Sequence, residues 1–546
     1  MKKEHYHIIC LAAILLFGLY LRTYHLDYPV IGYHNWKEVH YLTEARNFAN
    51  DGFFKNGFFV PAFDYPSLNG DPSGVHADSF PTISVIVGLF FMLFGQELWI
   101  ARLVGIVFNL GAVVALYYVV KILFKREDLA MLSMLLGAIM PIFVFFSRNV
   151  QLVNPALLFM LLSIYYYAAW HEEKTKSLLP ASLFFVLATI TKYSFGMLIV
   201  PLALSFPYKR LSTWRKNIKD YVVAFVPLIL IPIWIGYVEL FKAKENYSSF
   251  ADMINTGSST AFSAVYWKTL WAYFADNYTI LGLSFAIFGF FLMLLLFKKG
   301  NFGMRFSISY VIGTIAFFIL GAHKLQGHNY HQYPVAPLFV ILIAYFIIVA
   351  SSNLGRILDN ASKGQVPKKY GKLIIVAIML ILLWFPISEA KNRQFDAQFF
   401  GLDIAGEYIN THSSEDERIM FSGHQSYGVL WHADRKGYAH HPSVDDMISA
   451  EKNLNVQWIL VYQWGMAIFQ DPAKWNYIKD NYSLRQVAFK QSNEGRVPIY
   501  FLFQKGGSYD DTKLNDMLQG KEVQTRDYEM TGGNVRLNYI ELPEGS

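Results

Sequence analysis

Long apolar runs recur along the first 387 residues of this 546-residue chain. A helix needs about 17–25 mostly apolar residues to cross a bilayer, and most of the runs approach or exceed that length. The runs that we assign to spans cover residues 8–20, 99–124, 129–147, 155–170, 178–191, 195–206, 221–241, 278–297, 306–322, 333–350 and 373–387. This repetition predicts a polytopic α-helical membrane protein with about eleven transmembrane helices.

Composition supports the same fold class. The chain is 54% hydrophobic and only 16% charged, whereas soluble domains contain roughly 25% charged residues. The single cysteine, Cys10, lies in the first apolar run, so disulfides within the chain and CxxC metal sites are excluded. The opening MKKEHYH resembles the start of a signal peptide, but no small-residue cleavage site follows it. We therefore predict an uncleaved first span.

The basic loops orient the chain in the membrane. Loops 125–128, 208–220, 298–305 and 356–372 fall on one side together with the N-terminus and the mixed loop 171–176. The positive-inside rule places that side in the cytoplasm of a cell (plasma) membrane and the C-terminal segment outside it. The net charge of +6 is thus explained by topology, and no nucleic-acid partner is predicted.

The short apolar run 81–95 is predicted to be a juxtamembrane or re-entrant helix. If it were a span, every later basic loop would lie outside. It closes a large outer loop, residues 22–95. The other segments on the outer face are 147–154, 191–193, 242–277 and 323–334, and most of the His, Asp and Glu residues outside the basic loops and the tail gather there.

The composition becomes that of a soluble protein from about residue 388. Asp471 and Pro472 begin a predicted helix as N-cap and first helical residue, and Ser443 with Asp446 resembles a capping box. Segments 456–464, 483–491 and 497–505 have strand patterns, and the Gly532–Gly533 pair indicates a turn. The chain thus divides into a membrane domain, residues 1–387, and an extracytoplasmic α/β domain, residues 388–546, without a nucleotide-binding motif.

The segment HNWKEVHYLTEARNF, residues 34–48, directly follows the first span and combines charged, imidazole and aromatic side chains. A helical period would align His34, Glu38, Tyr41, Ala45 and Phe48 on one face. Within it, KEVHYLTEAR resembles the DExxYxxxAR pattern of GT-C membrane glycosyltransferases. The resemblance is to the protein O-mannosyltransferase and lipid A aminoarabinose transferase group, which is glycosyltransferase family 39-like.

Further motifs follow in that family's order over residues 30–350: LFG followed by AR (residues 93–95, 101 and 102), Asn154–Pro155, Thr191–Lys192 and HNYHQYPVAP (residues 328–337). The sequence departs from the family at two positions. The family's acidic pair begins with Asp, and Lys37 stands at that position. A related branch with an HxWRxxD pattern also has a basic residue after the Trp. Asn154 stands where the family has a second outer-loop Asp. The resemblance implies a divalent metal, Mg or Mn, but Asn is a poorer ligand than a carboxylate.

The resemblance implies transfer of a sugar from a polyprenyl phosphate. A carboxylate removes the acceptor's proton while cations meet the charge of the departing phosphate. We predict Glu38 as the base and Asp78 as the second acid able to act as base or metal ligand. Glu38 could instead belong to a structural network with Lys37, His34 or Arg46, and Asp78 could be a helix N-cap.

The predicted donor-phosphate residues share a position near the outer ends of the spans: Lys192, Arg148, His328, His331 and Tyr330. Supporting residues are His34, Lys37, Tyr41, Arg46 and Asn154. Lys192 lies in the short turn 191–193 between two apolar runs, where a charge is costly and usually functional. Its side chain could instead snorkel to the membrane interface. His328 and His331 could likewise be polar neighbours in an aromatic belt at the membrane interface. Arg102 could serve only to anchor its helix at the level of the lipid headgroups.

The leading hypothesis is therefore an enzyme that uses a polyprenyl-phosphate sugar and a glycolipid, glycan or protein acceptor. A transporter or flippase of lipid-linked glycans is an alternative, since Pro141, Pro201, Pro227 and Pro232 interrupt spans. A third hypothesis is a non-catalytic relative that binds glycolipid, because Lys37 and Asn154 stand where the family has acidic residues.

Overall fold

The computed structural model describes residues 2–55, 78–209, 218–240, 259–298, 301–423, 425–439, 443–492 and 495–543. Parts of the predicted loops 22–95, 208–220, 242–277 and 298–305 lie outside the described residues.

The described residues up to residue 395 are helical wherever they form regular structure, apart from Gly32, which forms an isolated β-bridge. The helices are α1 (Lys2–Arg22), α2 (Asn35–Asp51), α3 (Thr82–Phe94), α4 (Leu98–Phe124), α5 (Glu127–Ile139), α6 (Pro141–Arg148), α7 (Val153–His171), α8 (Leu179–Thr191), α9 (Ile199–Leu204), α10 (Ile218–Phe225), α11 (Leu230–Glu239), α12 (Ala264–Tyr278), α13 (Ile280–Leu295), α14 (Phe302–Leu320), α15 (Ala322–Gly327), α16 (Ala336–Ala361) and α17 (Lys368–Phe395). Short 3₁₀ helices cover Tyr193–Leu198, Val226–Ile229 and Asn329–Val335.

The described residues contain seven helices, some including a short 3₁₀ turn, that are long and apolar enough to cross a membrane. Two bent pairs raise the number to nine. Helices α5 and α6 bend by 51°, and α12 and α13 bend by 96°. Pro141 begins α6 and donates no backbone hydrogen bond, which explains the break between α5 and α6.

The sequence predicts about eleven spans, two more than the nine found among the described residues. The two additional predicted spans correspond to short helical segments on either side of Lys192, which are α8 and Tyr193–Leu204. Neither reaches the length of a usual span. Helix α3 is likewise short and apolar, as expected of a juxtamembrane element. The polytopic helical fold class is therefore confirmed, and the difference in number lies in the interrupted region around Lys192.

The C-terminal domain is built on one mixed seven-stranded sheet, in the order β2-β1-β3-β5-β4-β7-β6. Its strands are β1 (Arg418–Phe421), β2 (Gly437–Ala439), β3 (Val456–Tyr462), β4 (Tyr482–Ser492), β5 (Gly495–Lys505), β6 (Gln524–Met530) and β7 (Gly533–Glu541). Its helices are α18 (Leu402–His412), α19 (Gly428–Ala433), α20 (Val444–Leu454), α21 (Pro472–Asn481) and α22 (Leu514–Leu518). Strands β1, β2 and β3 are parallel and the others antiparallel.

The local predictions for this domain are confirmed. The Asp471 side chain accepts hydrogen bonds from two backbone N–H groups at the start of α21, and Ser443 caps α20. Gly532 lies in the turn between β6 and β7. Helix α17 runs unbroken through residue 395, so the helical part extends a little beyond the predicted boundary at residue 387.

Two large apolar cores involve the helical part of the chain, and a third lies within the C-terminal domain alone. One lies inside the helical bundle, from α4 to α17. The other is continuous from α2 and α3 into the C-terminal domain, joining Val39 and Leu42 with Leu402 and Val429. Helix α2 is therefore buried between the bundle and the C-terminal domain, which fixes the direction of each of its faces.

Candidate active site

Helix α2 begins at Asn35, directly after His34, which adopts a left-handed backbone conformation with φ 61°. The His34 ring is buried, and its Nε2 lies 2.9 Å from Oδ1 of Asn329. The start of α2 is thus joined to the 3₁₀ segment Asn329–Val335, which follows α15. These two elements form opposite walls of the candidate site.

Cationic and aromatic side chains line these walls in a continuous row. The Lys37 ammonium lies 4.2 Å from the centre of the Trp36 ring, whose centre is 5.0 Å from that of His328. His328 stacks on Tyr330 at 5.3 Å. The Lys192 ammonium lies 5.9 Å from the Tyr330 ring. Residues predicted from segments far apart in the sequence therefore meet in one place.

Two more side chains complete this group. His331 is 5.8 Å from His328, ring centre to ring centre, and Lys324 on α15 lies within electrostatic reach of Lys37 and Lys192. We call the set Lys37, Lys192, Lys324, His328 and His331 the cationic cluster. Among the described residues, neither Lys37 nor Lys192 has a hydrogen-bond or ion-pair partner.

Burial and repulsion between neighbouring lysines lower the pKa values of Lys37 and Lys192. Burial and the charge of Lys192 lower the pKa of Lys37 to about 7, against the opposite effect of Asp78 and Glu44. Burial likewise lowers the pKa of Lys192, and Asp78 again acts in the opposite direction. Lys37 and Lys192 are half-buried cations without a bonded carboxylate among the described residues, and such a pair of charges favours a bound anion.

Asp78 is held next to Lys192 by backbone contacts. Its carbonyl oxygen accepts hydrogen bonds from the Tyr193 hydroxyl at 3.1 Å and from Nε1 of Trp234 at 3.2 Å. Its carboxylate is half-buried and has no hydrogen-bond or ion-pair partner within the described part of the chain. The N-cap of α3 is Pro81, without a capping side chain, so the interpretation of Asp78 as an N-cap is wrong.

Glu38, the predicted base, lies on the other side of α2. Its carboxylate forms a two-point ion pair with Arg102 of α4, with Nε–Oε1 at 2.9 Å and Nη2–Oε2 at 3.3 Å. Glu38 is 4% exposed and Arg102 is 2% exposed. Arg102 also donates to the carbonyl groups of residues 25, 26 and 28. A structural network does therefore contain Glu38, with Arg102 rather than Lys37, His34 or Arg46 as its cation.

Three other predicted residues lie away from the cationic cluster. Arg148 donates to the carbonyls of Tyr24 and His25, and Arg46 forms an ion pair with Asp434 of the C-terminal domain at 2.6 Å. Asn154 is buried inside the bundle. Tyr41 is buried on the cluster side of α2, 5.8 Å from the Lys37 ammonium.

The surroundings of Asn154 do not fit a metal ion. Its Oδ1 accepts from Asn109 at 3.0 Å and from the Tyr333 hydroxyl at 3.2 Å. Its Nδ2 donates to the Phe146 carbonyl at 2.9 Å and to that of Ser147 at 3.3 Å. In the described ranges, no three His, Cys, Asp or Glu residues are placed to share a metal. Asn154 and the other described residues therefore do not fit the Mg or Mn site that the resemblance implies.

Four residues near the cluster were not singled out from the sequence: His40, Glu44, Ser84 and Lys324. Glu44 is 1% exposed; its Oε2 accepts from Ser84 at 2.7 Å, and its Oε1 pairs with His40. Burial raises the pKa of Glu44 well above its ordinary value, against the hydrogen bond from Ser84 and the charge of Lys37. The spacing of Lys37, His40 and Glu44, at i, i+3 and i+7, is the signal that could have identified this face.

Residues 76–235 match the sequence profile of the dolichyl-phosphate-mannose-protein mannosyltransferase family, and they include Asp78, Arg102 and Lys192. A sequence comparison with curated proteins finds no match.

The whole fold resembles solved structures at low sequence identity. The Archaeoglobus fulgidus oligosaccharyltransferase aligns with a TM-score of 0.57 at 13% identity, over 97% of this chain and 80% of that one. ArnT from Cupriavidus metallidurans bound to undecaprenyl phosphate aligns with a TM-score of 0.56 at 11% identity, over 90% and 97% of the two chains. The arabinofuranosyltransferase AftD from Mycobacteria aligns with a TM-score of 0.52 at 10% identity, over 96% of this chain and 41% of that one. The chain thus has the fold of the GT-C membrane glycosyltransferases, and the resemblance expected from its motifs is confirmed.

Proposed function

We propose that the chain is an integral membrane glycosyltransferase that moves a sugar from a polyprenyl phosphate, dolichyl or undecaprenyl, to an extracytoplasmic acceptor. The observation that carries this proposal is the cationic cluster, in which Lys37 and Lys192 lack a bonded carboxylate among the described residues. The undecaprenyl phosphate bound to a structural neighbour gives independent support for a lipid phosphate as the ligand.

Phosphate binding explains why three lysines lie together. In the transfer, the bond between the sugar C1 and the phosphate oxygen breaks and its electron pair stays with the phosphate. The donor's singly charged phosphodiester thereby becomes a monoester that can carry two negative charges. Lys37, Lys192 and Lys324 would stabilise that growing charge, which is the largest electrostatic change of the reaction. Tyr330 and the two histidines would supply hydrogen bonds to the donor.

The acceptor must lose a proton as its oxygen or nitrogen bonds to C1. We propose Asp78 as the base that takes it, because the Asp78 carboxylate is half-buried beside Lys192 and is not bonded to a described residue. Both oxygens of Glu38 are instead engaged by Arg102, and protonating Glu38 would break a buried ion pair. We therefore assign Glu38 to the placement of α2 and leave the metal out of the mechanism.

The orientation follows from the basic loops. They place the N-terminus in the cytoplasm by the positive-inside rule, which puts the cationic cluster and the C-terminal domain on the extracytoplasmic side of a plasma membrane. The acceptor, whether a glycolipid, a glycan or a protein, would then approach from outside the cell.

Mass spectrometry of glycolipids and glycoproteins tests this function in cells. The strains to compare lack the gene, carry it intact, or carry Asp78→Asn or Glu38→Gln at equal membrane levels. The proposal expects one glycan to disappear in the deletion strain, return with the intact gene and stay absent with Asp78→Asn. Partial restoration by Glu38→Gln is expected, in proportion to the folded protein. An unchanged set of glycans in the deletion strain would contradict a transferase, and full restoration by Asp78→Asn would remove Asp78 as the base.

A further inference from the structure

The helix that carries Lys37 is bound near both ends by the C-terminal domain. At its first residue, Nδ2 of Asn35 donates to the backbone carbonyl of Gln425 at 2.9 Å. Three turns later, Nη1 of Arg46 lies 2.6 Å from Oδ1 of Asp434, and its guanidinium lies 5.4 Å from the centre of the Trp431 ring. Asn35 and Arg46 lie on the face of α2 opposite Lys37, so these contacts hold the helix from the side away from the cluster.

The segment before α2 is held by the same domain through backbone contacts. The Val30 N–H donates to Nε2 of His432 at 3.1 Å, and the Phe399 N–H donates to the Ile31 carbonyl at 2.7 Å. A Cβ on Gly428 would lie 2.3 Å from the Val30 carbonyl oxygen. The two backbones therefore approach as closely as only a glycine permits.

Apolar packing joins the polar contacts into one interface. Val39 and Leu42 of α2 are fully buried and belong to the same core as Leu402 and Val429 of the C-terminal domain. Close-packed protein interiors tolerate little relative movement of their parts without creating voids. A displacement of the domain would therefore move α2 with it.

The opposite wall of the site is tied to the same point. His34, next to Asn35 in the chain, is bonded to Asn329, and Asn329 directly follows His328 of the cationic cluster. The beginning of α2 is thus bonded to the C-terminal domain on one side and to the His328 wall on the other. A shift of α2 would change the distance between Lys37 and the rest of the cluster.

We propose that the C-terminal domain forms a structural part of the donor-phosphate site, with Asn35 and Arg46 as positioning residues that fix Lys37 relative to Lys192. This inference rests on the proposed function, since it concerns how the phosphate site is assembled. The domain then acts on the donor site through its contacts with α2. A misplacement of about 1 Å can reduce the efficiency of such a site by about a hundredfold, so small contacts at the interface have a large effect.

Donor binding by the full chain in nanodiscs tests the proposal, with undecaprenyl phosphate as the probe and native mass spectrometry as the readout. The variants are Arg46→Met, Asp434→Asn, the double variant and Asn35→Ala. We expect the Kd to rise about tenfold or more in Arg46→Met and in Asp434→Asn. The double variant should bind no more weakly than the weaker single variant, because both changes remove the same contact.

The matched control is Arg526→Met. Arg526 forms ion pairs with Asp403 and Glu407 inside the C-terminal domain, and these pairs do not involve α2. This variant lowers the stability of the domain but removes none of the hydrogen bonds and ion pairs that join the domain to α2 and to the segment before it. Donor binding should therefore stay close to the wild-type value, provided that both proteins are folded at the temperature of measurement.

The outcomes separate this inference from the proposed function. If the wild-type chain does not bind undecaprenyl phosphate, the phosphate site itself is wrong. If the wild type binds and Arg46→Met binds equally well, the positioning role is wrong while the site stands. Equal weakening by Arg46→Met and Arg526→Met would show that only the stability of the domain matters, which also overturns the positioning role.

Discussion

Glu38 and Arg102 form a buried two-point ion pair between α2 and α4, 64 residues apart in the chain. The Nη1 group of Arg102 donates to three carbonyls of the segment that leads to α2. The pair therefore holds both α2 and the chain before it against the helical bundle. It also turns the other side of α2, which carries Lys37 and Glu44, toward the remaining members of the cationic cluster.

Replacing Glu38 should destabilise the protein more than it alters the chemistry. Glu38→Gln leaves the Arg102 charge buried without its carboxylate, and breaking a buried pair in this way costs about 3–5 kcal/mol. Thermal unfolding of the purified protein in detergent measures the loss. Asp78→Asn is the control, and its thermal stability should stay close to that of the wild type. A stable Glu38→Gln protein without transfer activity would instead support Glu38 as the base.

Much of the fold could be predicted from the sequence because hydrophobic length and period report directly on helices and strands. The caps at Ser443 and Asp471 are local signals of the same kind. The partner of Glu38 could not be predicted, since helical period shows which residues share a face but not what the face meets. Helix α2 is buried almost all round, so its pattern does not distinguish the Arg102 side from the Lys37 side.

The same reason explains the other differences at the site. Lys192, His328 and Tyr330 were expected to bind phosphate, and the structure brings them together. Arg148 shared their position at a span end, but its guanidinium is directed at the carbonyls of Tyr24 and His25. Position along the chain gives the depth of a residue in the membrane, whereas the contact depends on the rotation of each helix.

Donor affinity should fall as the pH rises through about 7. The pKa of Lys37 is lowered to about 7 by burial and by Lys192, so Lys37 is charged below that pH and neutral above it. We predict weaker binding of undecaprenyl phosphate at about pH 8 than at about pH 6. Because the phosphate itself titrates near pH 6, Lys37→Arg is the control, since its charge persists over the whole range. Parallel curves for the two proteins would contradict a role for Lys37.

Removal of the Glu44 charge should move the Lys37 titration toward lower pH. Burial raises the pKa of Glu44 well above its ordinary value, so Glu44 favours the charged form of Lys37 only at a pH where its carboxyl group is ionised. Where Glu44 is ionised, loss of this nearby anion shifts the pKa of Lys37 by about 1 unit. In Glu44→Gln, the fall in donor affinity is therefore expected at lower pH than in the wild type. Glu451→Gln removes a buried carboxylate of the C-terminal domain that pairs with Lys505 rather than with α2, and it should leave the position of the fall unchanged. A shift in both variants, or in neither, would contradict the role of Glu44.

Asn154 should be needed for stability rather than for metal binding. Its Nδ2 donates to two backbone carbonyls, and an aspartate would place a carboxylate oxygen against them. We predict that Asn154→Asp lowers the free energy of unfolding by about 2–4 kcal/mol, the cost of burying an unpaired polar or charged group. Thermal unfolding with and without Mg²⁺ or Mn²⁺ checks this. A variant as stable as the wild type, with donor binding that gains a metal requirement, would contradict the structural role.

Binding of undecaprenyl phosphate to the purified full chain shows whether the cationic cluster holds the lipid phosphate. The affinity is compared between wild type and Lys192→Met at about pH 6.5, where Lys37 is charged. Loss of one charge-assisted contact of about 1.5–3 kcal/mol predicts binding about 10–100-fold weaker. Lys363→Met, a change outside the cationic cluster, should bind like the wild type. Equal affinities for wild type and Lys192→Met would contradict the claim that the cationic cluster binds the lipid phosphate.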